Sequence, residues 1–306
     1  MVSARVLVLG ATGYIGAQLV SKLLDKGYKI RACGRSISKL KDFQWSRHTN
    51  VELVEADVLS VDQLRSVCQG CEVVYYLVHS MNAQHKDFAL ADRQAAQNMV
   101  QSAEAAGLKR IIYLGGLGDD DKNLSHHLRS RMEVSNIIQS GKVPATTLRA
   151  AMIIGKGSIS FEILRALVKN LPIMITPRWV STESQPIAVT NVLDYLVGCL
   201  ESERTAGEIF DIGGPEIVSY RQLMDIYAQE AGIFKRFIIT VPLLTPSLSS
   251  LWIALVTPFP AYIARPLAEG LKNRVVCHDD RIKDIIPQNL INCRQAIRLA
   301  IKGNQI

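Results

Sequence analysis

The sequence is most informative first in what it lacks. Its six cysteines, at positions 33, 68, 71, 199, 277 and 293, form neither a zinc-ligand spacing nor a disulfide framework, which excludes a small cysteine-stapled module. Met1-Val2-Ser3-Ala4-Arg5 runs straight into a strand pattern with no apolar leader, so a reducing, cytoplasmic setting is expected. No five like charges follow one another and there is no internal repeat or low-complexity run; nucleic acid is therefore not an expected partner. Long apolar runs are missing as well. Within 237–271, Pro242, Pro246, Pro258 and Pro260 cut the chain, and only eleven residues separate Pro246 from Pro258, against about 20 for a helix that crosses a bilayer.

What is present is a 306-residue chain, 48% apolar and 21% charged, long enough for one large core or two fused ones. Residues 1–219 carry 24 Lys and Arg against 22 Asp and Glu, and 220–306 carry 11 against 6, so the net charge of +7 divides as +2 and +5. The basic excess belongs to the C-terminal part. Short β-branched runs at 6–9, 29–32, 51–54, 73–77, 110–114 and 146–149 alternate with helical patterns near 14–26, 61–68, 84–106 and 126–140. That alternation predicts an α/β fold, a doubly wound parallel sheet of Rossmann type over 1–150, because parallel strands need crossovers that cover both faces. Residues 151–306 are expected to form a smaller, mainly helical substrate-binding portion interleaved with the last core elements, with helices at 159–170, 190–201 and 219–231, a strand at 208–212 and a turn-rich stretch from Pro172 to Pro186.

The strongest motif is Val6-Leu7-Val8-Leu9-Gly10-Ala11-Thr12-Gly13-Tyr14-Ile15-Gly16. Gly10 permits a tight turn, Gly13 a close approach of backbone to a pyrophosphate, and Gly16 close packing of helix on strand; the free amides and helix dipole then hold phosphate. At the end of the second strand Ala32-Cys33-Gly34-Arg35-Ser36 has no acid for ribose hydroxyls and has Arg35 at the tip. A guanidinium pairs with a 2′-phosphate, so NADP(H) is expected ahead of NAD(H). Ligands in such sheets collect at the carboxyl ends of strands, which adds Asp57 and Val58 for the adenine edge, and Leu77, Val78, His79 and Ser80 for the pyrophosphate and nicotinamide ribose.

On these residues, together with Gln185-Pro186-Ile187-Ala188-Val189-Thr190-Asn191-Val192, the chain resembles the short-chain dehydrogenases/reductases of the atypical or extended kind, the NmrA-like and epimerase-like group, over residues 5–230. The resemblance implies NAD(P)-linked oxidoreductase or epimerase chemistry. It extends to the nucleotide-binding accessory subunit of respiratory complex I, which holds its dinucleotide without turnover. Active members use a Ser or Thr after the fifth strand and a Tyr-x-x-x-Lys pair on the next helix. This sequence departs at both places: it reads Leu114-Gly115-Gly116-Leu117-Gly118, then His127-Leu128-Arg129-Ser130-Arg131. Spacing i, i+4 puts His127 and Arg131 on one helix face. Arg131, with Leu114, Gly115 and Gly116, is expected to face the nicotinamide ribose, while His127 is the expected proton donor, since histidine alone titrates near neutral pH. His79 is expected to line the same site. Cys68-Gln69-Gly70-Cys71 is read as structural, and Asp119-Asp120-Asp121 as a solvated loop rather than a metal site.

The exit from the sixth strand supplies the expected substrate wall: Met81, Gly116, Leu117, Met152, Ile153, Ile154, Phe161, Trp179 and Gln185. It is poor in the polar groups a sugar would need, which points to a small hydrophobic substrate such as a quinone, isoprenoid or acyl compound. Leu251, Trp252, Leu255 and Val256, followed by Arg265, Lys272 and Arg274, make 237–274 a candidate for peripheral membrane contact or for packing on its own domain or a second subunit. Three functions follow in order: a hydride-transferring oxidoreductase, a non-catalytic NAD(P)H-binding sensor or assembly subunit, and an epimerase.

Overall fold

A computed structural model describes residues 5–79, 88–118, 124–241, 260 and 269–303. The chain begins β1 (Arg5–Leu9), α1 (Tyr14–Asp25), β2 (Lys29–Gly34), α2 (Ile37–Lys41), β3 (Val51–Glu55), α3 (Val61–Cys68) and β4 (Val73–Tyr76). It continues α4 (Phe88–Ala106), β5 (Arg110–Gly116), α5 (His126–Gln139), β6 (Ala145–Ala150), β7 (Ile153–Ile154), α6 (Ile159–Asn170) and β8 (Ile173–Thr176). Then come β9 (Glu183–Ser184), β10 (Ile187–Ala188), α7 (Val189–Glu201), β11 (Ile209–Ile212), β12 (Val218–Ser219), α8 (Tyr220–Glu230), β13 (Phe237–Thr240), α9 (Ile282–Ile285) and α10 (Cys293–Lys302).

Seven parallel strands form the main sheet in the order β11-β6-β5-β4-β1-β2-β3. The order reverses between β1 and β4, and a crevice opens at such a switch point, at the carboxyl ends of the strands. The central position explains why β1 reads as an unbroken apolar run: Val6, Leu7, Val8 and Leu9 are all buried, since both faces are covered. Leu19, Val20, Leu23 and Leu24 bury one stripe of α1 in the core shared with α7, and full burial of each such leucine is worth about 1.5–3 kcal/mol. On the other face α3, α4 and α5 pack side by side, and Ala91, Ala95, Ala96 and Ala103 keep α4 close to the sheet.

Helix punctuation follows side-chain chemistry. Ser60 caps α3 by accepting from the Gln63 N–H, and Ser219 forms a capping box with Gln222 on α8. Gly107, at φ 66°, ends α4 where left-handed backbone favours glycine.

The stretch Pro172 to Pro186 is more ordered than its turn residues suggest. It holds β8, which pairs in parallel with β13, and β9, which pairs antiparallel with β12. Strand β11 joins the main sheet beside β6. A third core, built from α6, α8 and α10, lies beyond the carboxyl ends of β6 and β7. Most of 237–271 lies outside the described residues, as do Ser80, Met81 and Asp119–Asp121. Among the described residues, no helix is long and apolar enough to cross a membrane.

Candidate functional site

The turn after β1 shows why glycine stands at its key positions. Gly10 has φ 86°, and a Cβ there would lie 2.8 Å from the Leu77 carbonyl oxygen. A Cβ on Gly16 would lie 2.2 Å from the Gly10 carbonyl oxygen, backbone against backbone. Gly13 is exposed and precedes α1 in extended conformation, without a side-chain cap. Cys33 O accepts from the Gly10 and Ala11 N–H groups, at 3.1 and 3.0 Å. The amides of Thr12, Tyr14, Ile15 and Gly16 find no acceptor among the described residues, which leaves a row of donors at a helix N-terminus. The Tyr14 side chain turns toward Gly155 and Gly157, and burial raises its hydroxyl pKa to about 12. Ile15 packs partly buried against the first core.

Arg35 is exposed at the end of β2, with no hydrogen-bond or ion-pair partner among the described residues. Ser36 Oγ caps α2 and lies 2.7 Å from Ser38 Oγ, while Glu55 accepts the Ile37 N–H at 2.9 Å. Asp57 Oδ1 accepts from Leu59 N–H at 3.0 Å, and buried Asn98 donates to the Val58 and Leu59 carbonyls, which fixes this loop on α4. Leu77 continues the β1 pairing through its N–H to Leu9 O at 3.1 Å, and Val78 packs against the core under α3, α4 and α5.

At the neighbouring strand tips the structure brings His79, His127 and Arg131 into one electrostatic cluster. His79 follows β4 and is exposed. Solvent reaches it, yet the surrounding protein strips enough water to lower its pKa well below the ordinary histidine value, aided by the charges of Arg131 and His127. His127 is partly buried, and desolvation first, then Arg131 and His126, lower its pKa to about 3. Both imidazoles are neutral at pH 7. The sequence-based expectation of an imidazole titrating near neutrality is therefore not what this site provides, because neither burial nor a cation four residues away is counted in the unperturbed value. His126 is exposed and sets its ring edge to face against Phe88, 4.8 Å between centroids.

Arg131 is 7% exposed and has no carboxylate within ion-pair distance among the described residues. Its backbone carbonyl accepts from the Tyr113 hydroxyl at 3.4 Å. Tyr113 also explains the missing hydroxyl after β5: a Cβ on Gly115 would lie 2.9 Å from the buried Tyr113 ring. Gly116 makes room for Leu128 and the Arg131 stem, 3.2 and 3.5 Å from where its Cβ would be.

A cavity of about 180 Å³ starts at Gly116, Leu117 and His127 and runs into the third core. Met152 and Trp179 line it as well, with Ser160 at the start of α6. Ile153, Ile154, Phe161 and Gln185 do not line it. Ile153 and Ile154 pair with Ile187 and Ala188, Phe161 packs on Tyr227, and Gln185 joins Cys277 N–H to Gly214 O. The walls that sequence reasoning missed are Ile163, Leu164 and Leu167 of α6, Tyr220 and Met224 of α8, and Leu271 and Val275 of the returning chain. Their apolar helical spacing was visible, but spacing cannot separate a core face from a cavity face. One wall group stands out: the buried Trp179 indole N–H has no acceptor among the described residues.

The Cys68 thiol is pushed up to about 12 by burial and the Cys71 thiol is also raised, so neither is poised for exchange. Among the described residues, no group of His, Cys, Asp or Glu is arranged to hold a metal ion.

The fold and glycine turn define a dinucleotide-binding α/β protein, and comparison with known proteins sharpens this. The NAD(P)H-binding family model matches residues 10–166, just over half of the chain, and the chain belongs to that family. It is 24% identical over 226 residues to a mitochondrial NADH dehydrogenase [ubiquinone] 1 alpha subcomplex subunit 9 of Arabidopsis thaliana, covering 72% of this chain and 56% of that protein. It is 22% identical over 229 residues to the photosystem II assembly factor Ycf39 of Trieres chinensis, covering 74% of this chain and 69% of that protein. Among solved structures, a triphenylmethane reductase of Citrobacter sp. complexed with NADP(H) superposes with TM-score 0.75 at 18% identity, covering 96% of this chain and 99% of that one. An NADPH-dependent quinone oxidoreductase of Escherichia coli, complexed with NADPH, gives TM-score 0.75 at 16% identity, covering 95% and 98%. At these identities the structural likeness concerns the fold.

Proposed function

We propose that this protein is an NADPH-dependent reductase of the atypical short-chain type, acting on a small apolar carbonyl acceptor of the quinone class. The observation that carries the reading is that the mostly apolar cavity is lined by Gly116, at the carboxyl end of β5, and by His127, on the side of the sheet where a dinucleotide would lie. The turn residues fit that cofactor. Gly10 and Gly16 admit no side chain, the amides of Thr12, Tyr14, Ile15 and Gly16 offer donors, and Arg35, without a partner among the described residues, with Ser36 suits a 2′-phosphate. Asp57 and Val58 would border the adenine, with Leu77, Val78, Leu114 and Gly115 along the rest of the crevice. When bound, NADPH supplies a hydride.

The chain's own residues then account for selectivity. An apolar cavity of about 150 Å³ accepts one benzene ring, so the space here suits a single-ring head. The polar side chains of the cavity wall are His127, Ser160, Trp179 and Tyr220, and the rest of the lining is apolar, which suits an acceptor with few polar groups. Arg131 carries a buried positive charge without a carboxylate among the described residues, and an oxyanion formed on the acceptor would be stabilised by such a preorganised charge. Neutral His127 and His79 can each donate a ring N–H to that oxyanion but cannot release a proton at pH 7. The site therefore favours acceptors whose reduced form leaves as an anion and takes its proton from water. Turnover is read as loss of the reduced-nicotinamide absorbance with single-ring quinones, enones and aldehydes. Quinone turnover exceeding that of aldehydes supports the proposal; cofactor binding without turnover of any acceptor refutes it.

The same observations support a second reading. With Gly115 closed to a hydroxyl by Tyr113 and the His127 imidazole held far below neutrality, the chain could serve as a NAD(P)H-holding subunit or assembly protein, as its likeness to the Arabidopsis subunit suggests.

A further inference from the structure

Strands β8 and β13 form a two-stranded parallel sheet whose exposure runs against the usual pattern. Inward, Met174 and Ile238 pack into the third core, on the helices that wall the cavity. Outward stand Ile173 at 59% exposure, Ile175 at 53%, Phe237 at 74% and Ile239 at 54%, with Phe234 at 92% just before β13. A solvent-facing strand surface ordinarily carries polar residues. Here both exposed positions of β8 and two of the three exposed positions of β13 are apolar, on a short open sheet that would otherwise be an association hazard.

The sequence that leaves β13 has matching chemistry. From Phe237 to Ala268 the chain has a single charged residue, Arg265, and no acid. Basic residues flank it: Lys235 and Arg236 precede it, and Lys272 and Arg274 follow it after Glu269. Lys235 pairs with Asp225 at 3.6 Å yet keeps most of its side chain exposed, Arg236 donates to Val168 O, and Arg274 pairs with Glu183. Exposed Lys169 lies at the end of α6, just before β8.

We infer that the β8–β13 face docks on a lipid bilayer surface containing anionic headgroups. Five apolar side chains with Lys169, Lys235 and Arg236 next to their strands in the chain are the chemistry of an interfacial contact, where apolar burial and attraction to anionic lipid add. A second copy of this chain is the poorer occupant, since a stable interface takes about 20–30 residues from each partner and this face presents five. The docking stands apart from the reductase reading, although it would set the cavity wall next to a source of lipid-soluble acceptors.

The test is sedimentation of the full chain with phosphatidylcholine vesicles, with and without phosphatidylglycerol, for wild type and for the double variants I173E/I239E and I175E/F237E. The substituted side chains are exposed, so circular dichroism and the melting temperature should stay close to wild type. The expected result is binding that is stronger with phosphatidylglycerol, weakens with salt, and falls at least about tenfold in both variants. Cofactor affinity, measured in parallel, should be unchanged, which separates failure of docking from failure of the reductase reading. The proposal is overturned if wild type stays unbound with both vesicle types, or if the variants bind as well as wild type. It is equally overturned if the variants abolish a concentration-dependent dimer while no vesicle binding is seen, which assigns the face to a second copy. Loss of melting temperature in the variants without wild-type vesicle binding would assign it to the chain's own residues 242–268.

Discussion

Two ends of one crevice use glycine in opposite ways. At β1, Gly10 and Gly16 are dictated by backbone against backbone: the atoms in the way are carbonyl oxygens at 2.8 and 2.2 Å, and they have nowhere to go. At β5, Gly115 and Gly116 are glycine because side chains lie over them, the Tyr113 ring at 2.9 Å and Leu128 at 3.2 Å. The first end builds a cradle that depends only on main-chain geometry, so its motif is recognisable in sequence. The second depends on which side chains happen to pack there, and this chain has filled the place of the hydroxyl with a tyrosine ring. On the proposed reading the cofactor end is conventional, while the acceptor end would rely on a buried guanidinium and two imidazoles of lowered pKa.

The comparison can be broken most severely at Gly16. Gly16→Val puts a branched Cβ into the Gly10 carbonyl with no rotamer to escape, and a loss of about 3 kcal/mol or more is expected in urea unfolding, along with cofactor binding. Next is Arg131→Met, which keeps the stem against Gly116 and removes the charge. Turnover with a quinone should fall about 100-fold while cofactor affinity changes far less, and equal loss of both would make Arg131 a cofactor residue only. Third, Arg35→Glu should shift the NADPH to NADH preference by about tenfold or more; unchanged selectivity removes Arg35 from the site. Gly115→Ser restores a hydroxyl to β5 at the expense of the Tyr113 ring, and a destabilisation of about 1–3 kcal/mol is expected on the same unfolding assay.

A further effect is on pH dependence. His127 has its folded pKa depressed to about 3 from an unfolded value of 6.5. Between those values the unfolded chain binds the extra proton, so the contribution is complete above pH 6.5 and is lost as pH falls toward 3. Melting temperature should decline over that window, and His127→Gln should flatten the decline. An unchanged slope would show that His127 titrates normally.

These contrasts also explain what was legible in the sequence. Strands β1 to β6 and helices α1, α3, α5, α6, α7 and α8 follow from period and punctuation within a few residues, because each buries a regular stripe or run. The two-residue strands β7, β9, β10 and β12 carry no period of their own, and their pairing is imposed by tertiary neighbours. In the candidate site, residue identity gave His127 and Arg131 one helix face, but the depressed imidazole pKa depends on burial and on His79 arriving from β4. Likewise Leu164 and Met224 read as core residues, and only the gap left between α6 and α8 makes them cavity walls.

The most direct test of the central claim is isothermal titration of the purified chain with NADPH, alongside NADH. Saturable uptake of NADPH at one molecule per chain is expected, with weaker uptake of NADH and a loss of at least about tenfold in NADPH affinity for Arg35→Glu. Absence of heat and of any change in nicotinamide fluorescence with both nucleotides would contradict it.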